Sequence, residues 1–224
     1  MQSIFIVIPA YNEEESIVSV LRDIQAADYD YHIVVVDDCS IDETATRAEQ
    51  AGVIVLRHVV NRGQGAALKT GTEYAIRQGA DVVVHFDADG QFVANEITDV
   101  IAPLMSGEAD IVFGSRFLAG KKQSDVPFVK RAIILPLARL FHRFFGVRLS
   151  DPQSGFRAFR ADAFPKIAWQ QDRMAHCSEI IFNALQNKLC VREVPITVIY
   201  REFGQRFSGG LKIIKDIFFH SFIK

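Results

Sequence analysis

Residues 81–91, Asp81-Val-Val-Val-His-Phe-Asp-Ala-Asp-Gly-Gln91, decide the fold, because a buried strand runs here directly into acidic residues. A nearly continuous apolar run of this length is typical of a parallel strand that is covered on both faces. Similar runs recur along the first half of the chain, at Ile4–Ile8, His32–Val36, Val53–Leu56 and Ile111–Phe113. The sequence therefore predicts a buried, mostly parallel sheet.

Helix-length amphipathic stretches separate these runs, as crossover helices would. They are Glu13–Ala26, Asp42–Gln50, Gln64–Gln78 and Asn95–Met105. Beyond the fifth strand, a helix is expected at Ala175–Leu185, a strand at Val191–Tyr200 and a final helix from about Gly210. No linker or repeat interrupts the chain, so the pattern predicts one doubly wound α/β domain.

Composition excludes several classes of protein. The chain has 224 residues, which fits one domain, and 25 basic against 27 acidic residues leave a net charge of −2, so no nucleic-acid partner is expected. Its three cysteines show no metal-ligand spacing, which argues against zinc or a disulfide framework and favours a reducing cytosol. No apolar run approaches the roughly 20 residues of a membrane span, and no signal peptide is expected.

Ligands of open parallel sheets bind beyond the carboxyl ends of the strands, where this chain is strongly polar. Asp87 and Asp89 stand two residues apart, a spacing that suits Mg²⁺ or Mn²⁺, and Gln91 offers a further oxygen. An ion there would neutralise a leaving diphosphate. The alternative is a polar turn that caps the next helix. An EF-hand is excluded, because Phe92 and Thr98 replace its glycine and glutamate.

Two other strand ends carry candidate nucleotide contacts. Asp37 and Asp38 follow the second strand, where a carboxylate could meet a ribose or a base N–H. The stretch Gly63–Thr70 matches a phosphate-binding P-loop except that Leu68 replaces the glycine before Lys69, and this side chain would obstruct the loop. We expect instead that the stretch opens a helix, with Lys69 near the donor.

Six motifs together resemble the family 2 glycosyltransferases of the GT-A fold, and among them the dolichyl-phosphate mannose synthase-like branch. The resemblance runs from Ile4 to about Ser208. The motifs are Pro9-Ala-Tyr-Asn-Glu13, Val36-Asp-Asp-x-Ser-x-Asp42, Asn61-x-Gly-x-Gly-x-Ala67, Asp87-Ala-Asp-Gly-Gln91, Gly114-Ser-Arg116 and Asp151-x-x-Ser-Gly-Phe-Arg157.

This resemblance implies a role for each matching position. The nucleoside would be held by Pro9, Tyr11, Glu13 and Asp38, and the metal and diphosphate by Asp87, Asp89 and Gln91, with Ala88 between them. Arg116 would lie by the phosphates or the donor sugar, and Asp151 and Arg157 on the acceptor side. Residues 1–116 would form the nucleotide-sugar half, residues 117–210 the acceptor half and residues 211–224 an amphipathic helix.

The implied reaction moves a sugar from a nucleoside diphosphate sugar, such as GDP-mannose or a UDP-hexose, to a polyprenyl phosphate with inversion. That acceptor is already ionised near neutral pH, so Arg131, Arg157 or Arg201 could bind its phosphate while Asp151 orients it. If the acceptor is a hydroxyl, Asp151 would act as the base. A non-catalytic nucleotide-binding module is a third possibility. The branch's Arg-x-x-Gly-x-Ser-Lys ending is altered here, since Arg201 to Gly204 is followed by Gln205 and Arg206.

Two segments have the composition of membrane-surface helices. Residues 127–148 contain five basic and no acidic residues with phenylalanines at helical spacing, and residues 211–224 repeat this pattern less regularly. The alternative is that they pack on the core or on a partner subunit, including a second copy in a homodimer. The prediction is peripheral binding at the cytoplasmic face of the membrane.

Overall fold

The computed structural model describes residues 2–27, 29–118, 143 and 149–199. Seven strands form one sheet: β1 (Ile4–Ala10), β2 (Tyr31–Asp37), β3 (Ile54–Arg57), β4 (Val82–His85), β5 (Ile111–Ser115), β6 (Arg157–Arg160) and β7 (Val191–Pro195). The helices are α1 (Ile17–Gln25), α2 (Thr44–Gln50), α3 (Gln64–Arg77), α4 (Ile97–Met105), α5 (Phe164–Ile167) and α6 (His176–Gln186).

The strand order is β3-β2-β1-β4-β6-β5-β7. Strand β1 pairs in parallel with β2 and β4, β2 with β3, and β5 with β7. Strand β6 runs antiparallel between β4 and β5. The carboxyl ends of β4 and β5 therefore meet the amino end of β6 at one edge of the sheet.

Helices cover both faces, as the apolar strands require. Along β1, Ile4, Ile6 and Ile8 face a core that α1 and α4 complete, whereas Phe5 and Val7 face a second core with residues of α3 and α6. This alternation follows from the two-residue period of a strand. The prediction of a mostly parallel sheet with helices on both faces is confirmed.

Helix α3 approaches the sheet closely at Gly71. A Cβ atom there would overlap the Val7 side chain and lie 2.9 Å from Val36 Cγ2. The missing side chain thus sets the distance between α3 and the sheet, and with it the position of the loop that precedes the helix.

Several boundaries differ from the sequence prediction. Helix α1 begins at Ile17 because residues 14–16 form a turn, and β7 ends at Pro195. Strand β6 was not predicted. The segments 127–148, with Arg131, and 211–224, as well as Arg201, lie outside the described residues apart from Arg143. Within the part of the chain that the structure describes, no helix has the length and hydropathy to cross a membrane.

Candidate functional site

The Asp87–Gln91 loop follows β4 at the centre of the sheet edge. Gln64 Nε2 donates to Asp87 Oδ1 at 3.0 Å, and Gly155 lies so close that a Cβ atom would stand 2.5 Å from Asp87 Oδ2. Burial, and then the charge of Asp89, raise the pKa of Asp87 to about 7, although Arg157 opposes this. Gln64 and Gly155 thus hold the Asp87 carboxylate in place, and among the described residues no cationic side chain hydrogen-bonds to it.

Further acids surround this loop. Asp89 Oδ1 accepts the backbone N–H of Gln91 at 3.0 Å. Burial, followed by the charges of Asp89 and Asp42, raises the pKa of Glu13, while a hydrogen bond from Ser16 lowers it. Carboxylates that crowd one another in this way favour a cation between them.

A divalent ion fits these residues only if it is shared with a ligand. In the described ranges, no three His, Cys, Asp or Glu side chains converge closely enough to hold a metal by themselves. Two carboxylates, with oxygens from a bound diphosphate and water, match the way Mg²⁺ is held in phosphate-transfer sites. Asp87 and Asp89 are thus suited to an ion that arrives with a diphosphate.

Asp38 follows β2 and has a different environment. It is 3% exposed, and its carboxylate accepts the backbone N–H groups of Arg62 at 2.9 Å and Gly63 at 2.6 Å. The ring of His58 lies 2.7 Å from its Oδ1, and the other ring nitrogen is 2.9 Å from the Thr70 hydroxyl. Asp38 therefore holds the β3–α3 loop, and its contact with a nucleoside stays a prediction.

The β1–α1 loop is fixed by the β2–α2 loop. Asn12 N donates to Ser40 Oγ at 3.0 Å, and Asn12 Oδ1 accepts from Ile41 N at 3.0 Å. Pro9 is buried within β1, whereas the Tyr11 side chain is 47% exposed. Tyr11 is thus presented at the sheet edge by a loop that several hydrogen bonds hold in position.

The glycine-containing loop before α3 does not form a phosphate cradle. In the first turn of α3, the Ala66 N–H donates to the carbonyl of Asp172 at 3.1 Å, and the carbonyl of Gly65 accepts from Trp169 Nε1 at 2.8 Å. Leu68 is 1% exposed and packs in the core. The amino end of α3 is covered by protein, which agrees with the expectation against a P-loop. Lys69 lies partly buried in α3, and its role near the donor stays a prediction.

Beyond the carboxyl end of β5, Arg116 and Asp151 form an ion pair. Arg116 Nε and NH2 donate to the two Asp151 oxygens at 2.6 and 2.8 Å, and Arg116 N donates at 3.2 Å. Asp151 is 0% exposed, while the Arg116 side chain is 21% exposed. Asp151 is held by Arg116, so the structure does not pair it with Arg157.

Arg157 instead lies in a buried polar cluster beneath Asp87. It is 0% exposed, and its NH2 group is 3.3 Å from both His176 Nε2 and Cys177 Sγ. Burial raises the pKa of the Cys177 thiol, but His176 and Arg157 outweigh this and bring it to about 6. This setting differs from that of a phosphate ligand at the surface, and the predicted acceptor role of Arg157 stays untested.

Sequence reasoning did not find several residues of the site. Each of these residues is at least 20 positions from the residue that it contacts, so no local spacing indicates it. They are His58 with Asp38, Gln64 and Gly155 with Asp87, and Glu193 with Ser150. Gln64 and Gly155 lie within two of the family motifs, but the motifs do not indicate their contacts with Asp87. Their contacts follow from the fold.

The fold and its strand-end acids define a doubly wound α/β domain with a carboxylate-rich site at the carboxyl ends of its strands. The chain belongs to Glycosyl transferase family 2, whose profile matches residues 5–168. This confirms the family and glycosyltransferase predictions.

Several relatives match over nearly the whole chain. The UDP-N-acetylglucosamine–dolichyl-phosphate N-acetylglucosaminyltransferase of Methanococcus voltae is 34% identical over 96% of this chain and 93% of its own length. The polyprenol monophosphomannose synthase of Mycolicibacterium smegmatis is 32% identical over 97% and 85%.

A solved structure confirms the fold. Glucosyl-3-phosphoglycerate synthase from Mycobacterium tuberculosis, in complex with Mn²⁺, UDP and phosphoglyceric acid, aligns with a TM-score of 0.74 at 21% identity, covering 100% of this chain and 80% of that chain.

Proposed function

We propose that the protein transfers a sugar from a nucleoside diphosphate sugar to a polyprenyl phosphate, with Mg²⁺ or Mn²⁺ bound at Asp87 and Asp89. The observation that carries this proposal is the crowding of Asp87 and Asp89 beside the Arg116–Asp151 pair at one sheet edge. The named activities of both relatives support the lipid phosphate as acceptor. Because those names differ in the sugar, the donor is left open.

The donor side of the proposal uses the loops after β1, β2 and β4. Tyr11 and Glu13 would contact the nucleoside, and Asp38 would keep the β3–α3 loop in the shape that borders it. Asp87 and Asp89 would hold the divalent ion, which would supply charge neutralisation of the leaving diphosphate. Gln64 and Gly155 restrict the orientation of the Asp87 carboxylate.

The resemblance puts Arg116 by the phosphates or the donor sugar and Asp151 on the acceptor side. Because the partly exposed Arg116 guanidinium binds Asp151, the proposal assigns Arg116 to the acceptor side. An ionised phosphate attacks without a general base, so it needs only cationic groups that position it. A hydroxyl acceptor would need a base. Asp151, the residue predicted for that role, is fully buried with both oxygens bound to Arg116, which favours the phosphate acceptor.

Membrane attachment is part of the proposal. Residues 127–148 and 211–224 would bind the cytoplasmic face of the membrane and bring the site to its lipid acceptor, with Arg131 and Arg201 contacting the phosphate. A homodimer is compatible with the same segments. Vesicle co-sedimentation with anionic and neutral lipids tests this directly, and equal sedimentation with both would contradict an electrostatic attachment.

The decisive experiment incubates the purified protein with nucleotide sugars, Mg²⁺ or Mn²⁺, and either short polyprenyl phosphates or hydroxyl acceptors. The expected product is a glycosylated polyprenyl phosphate, which is absent after metal chelation. Asp162→Asn, at an exposed ion pair with Arg160, serves as the control variant. Transfer only to hydroxyls would replace the acceptor assignment, and no product together with no UDP or GDP binding would refute the proposal.

A further inference from the structure

Glu193 in β7 binds the loop that carries Asp151. Its Oε1 accepts the Ser150 hydroxyl at 2.9 Å and the backbone N–H of Asp151 at 3.1 Å, and both of its oxygens lie 2.9 Å from Ser150 N. One carboxylate thus gathers three donors from two consecutive residues. This contact joins positions more than 40 residues apart in sequence.

The hydrogen-bond directions in this network are determined by the carboxylate. Because an ionised carboxylate only accepts, the Ser150 hydroxyl donates to Glu193, and its oxygen accepts from Ser115 Oγ at 2.6 Å. Ser115 Oγ in turn accepts the backbone N–H of Phe117 at 3.1 Å. Glu193 therefore binds the loop of Asp151 directly and is linked through Ser150 and Ser115 to the chain on both sides of Arg116.

The neighbouring strands support this arrangement. Gly114 leaves room for Ile196, since a Cβ atom at residue 114 would lie 2.8 Å from that side chain. Ile196 N also donates to the Ser115 carbonyl at 3.0 Å. The parallel pairing of β5 and β7 therefore keeps Glu193 close to the backbone that leads into Arg116.

We propose that Glu193 is a positioning residue for glycosyl transfer. It holds Asp151 and the 115–117 turn so that Arg116 is presented to the acceptor, and it contacts neither substrate nor metal. This inference rests on the proposed function, because it assigns Arg116 to the acceptor side of the site.

The test is Glu193→Gln. The amide oxygen can replace Oε1, but the NH2 group at the Oε2 position is a donor and would oppose the N–H group of Ser150. We expect a fall in kcat of about tenfold from the loosened Arg116, with unchanged KM for the nucleotide sugar and unchanged metal-dependent nucleotide binding. A parallel loss of nucleotide binding would show a general structural role and overturn the inference.

Asp110→Asn is the matched control. Asp110 Oδ2 accepts the backbone N–H of Cys190 at 2.7 Å, at the opposite end of the same β5–β7 pair. This variant weakens the same strand pairing far from Arg116, so its kcat should equal that of the wild type. If Asp110→Asn and Glu193→Gln lower kcat equally, the inference is wrong.

A double-mutant cycle with Asp151→Asn separates positioning from independent effects. Because Glu193 acts through Asp151 as well as through Ser115, the loss in the double variant should be smaller than the two single losses combined, and fully additive losses would contradict the inference.

A second measurement does not depend on turnover. The NMR signal of the Arg116 Nε–H should be protected from exchange in the wild type and in Asp110→Asn, and lose that protection in Glu193→Gln. An inactive wild type would refute the proposed function, whereas continued protection in Glu193→Gln would refute the positioning role.

Discussion

Asp38 and Asp87 follow strands that flank β1 at one edge of the sheet, yet their surroundings are opposite. The Asp38 carboxylate accepts two backbone N–H groups and contacts an imidazole. Asp87 accepts one side-chain amide, faces the charge of Asp89 and has a pKa raised to about 7. The hydrogen bonds that the protein donates to Asp38 stabilise the fold. Asp87 is partly buried and repelled by Asp89, so its carboxylate is available to a ligand that carries positive charge.

The largest effect that this comparison predicts is for Asp89→Asn. The amide keeps an acceptor for Gln91 N but removes the charge that would hold the cation, so kcat/KM should fall by about 10³, or about 4 kcal/mol. The free energy of unfolding should not fall by a comparable amount, because repulsion with Asp87 and Glu13 is relieved. Steady-state kinetics and urea denaturation check the two parts. A large loss of stability in Asp89→Asn would show that the acids after β4 stabilise the fold, as Asp38 does.

Asp38→Asn should lower the free energy of unfolding strongly and kcat/KM much less. Its amide group would face N–H donors of Arg62, Gly63 or His58 inside the protein, and leaving such buried groups unpaired costs about 3 kcal/mol of unfolding free energy. The control Asp162→Asn removes an exposed ion pair with Arg160 and should cost about 0.5 kcal/mol or less. Urea denaturation of both variants measures this. Equal stabilities would mean that Asp38 is not a structural carboxylate.

Gly155→Ala tests whether the orientation of Asp87 matters apart from its charge. The added Cβ would stand 2.5 Å from Asp87 Oδ2, so the carboxylate must leave the orientation in which it would bind the ion. We expect kcat/KM to fall about 30-fold, or about 2 kcal/mol, with a weaker response to Mn²⁺. Titration with Mn²⁺ at fixed nucleotide sugar provides the measurement. An unchanged Mn²⁺ dependence would show that the site tolerates a displaced Asp87.

Sequence reasoning recovered the parts of the fold that repeat a simple pattern. Strands β1, β2, β4 and β5 are continuous apolar runs because helices cover them on both faces, and that burial is visible in composition. Strand β6 was missed because its four residues, Arg157 to Arg160, include an arginine at each end. Nothing local indicates that one of these arginines is buried, since its neighbours His176 and Cys177 come from a distant helix.

For the candidate site, too, the sequence indicated some residues and not others. Asp87, Asp89, Arg116 and Asp151 were found because each follows a strand or belongs to a motif of the family. Their partners could not be found from spacing, because the contact between Asp151 and Glu193 depends on how β5 and β7 pair. The sequence identifies which side chains carry charge, and the fold decides which charges are satisfied.

The smallest predicted effect is for Gln64→Met, which keeps the side-chain volume but removes the donor to Asp87 Oδ1. Loss of one such bond costs about 1 kcal/mol, or about fivefold in affinity, and we expect it in the Mn²⁺ dependence alone. Gln78→Met, at the exposed carboxyl end of the same helix, is the control and should match the wild type. If Gln64→Met lowers stability and leaves Mn²⁺ affinity unchanged, then Asp87 stabilises the fold as Asp38 does, and the contrast between the two carboxylates is wrong.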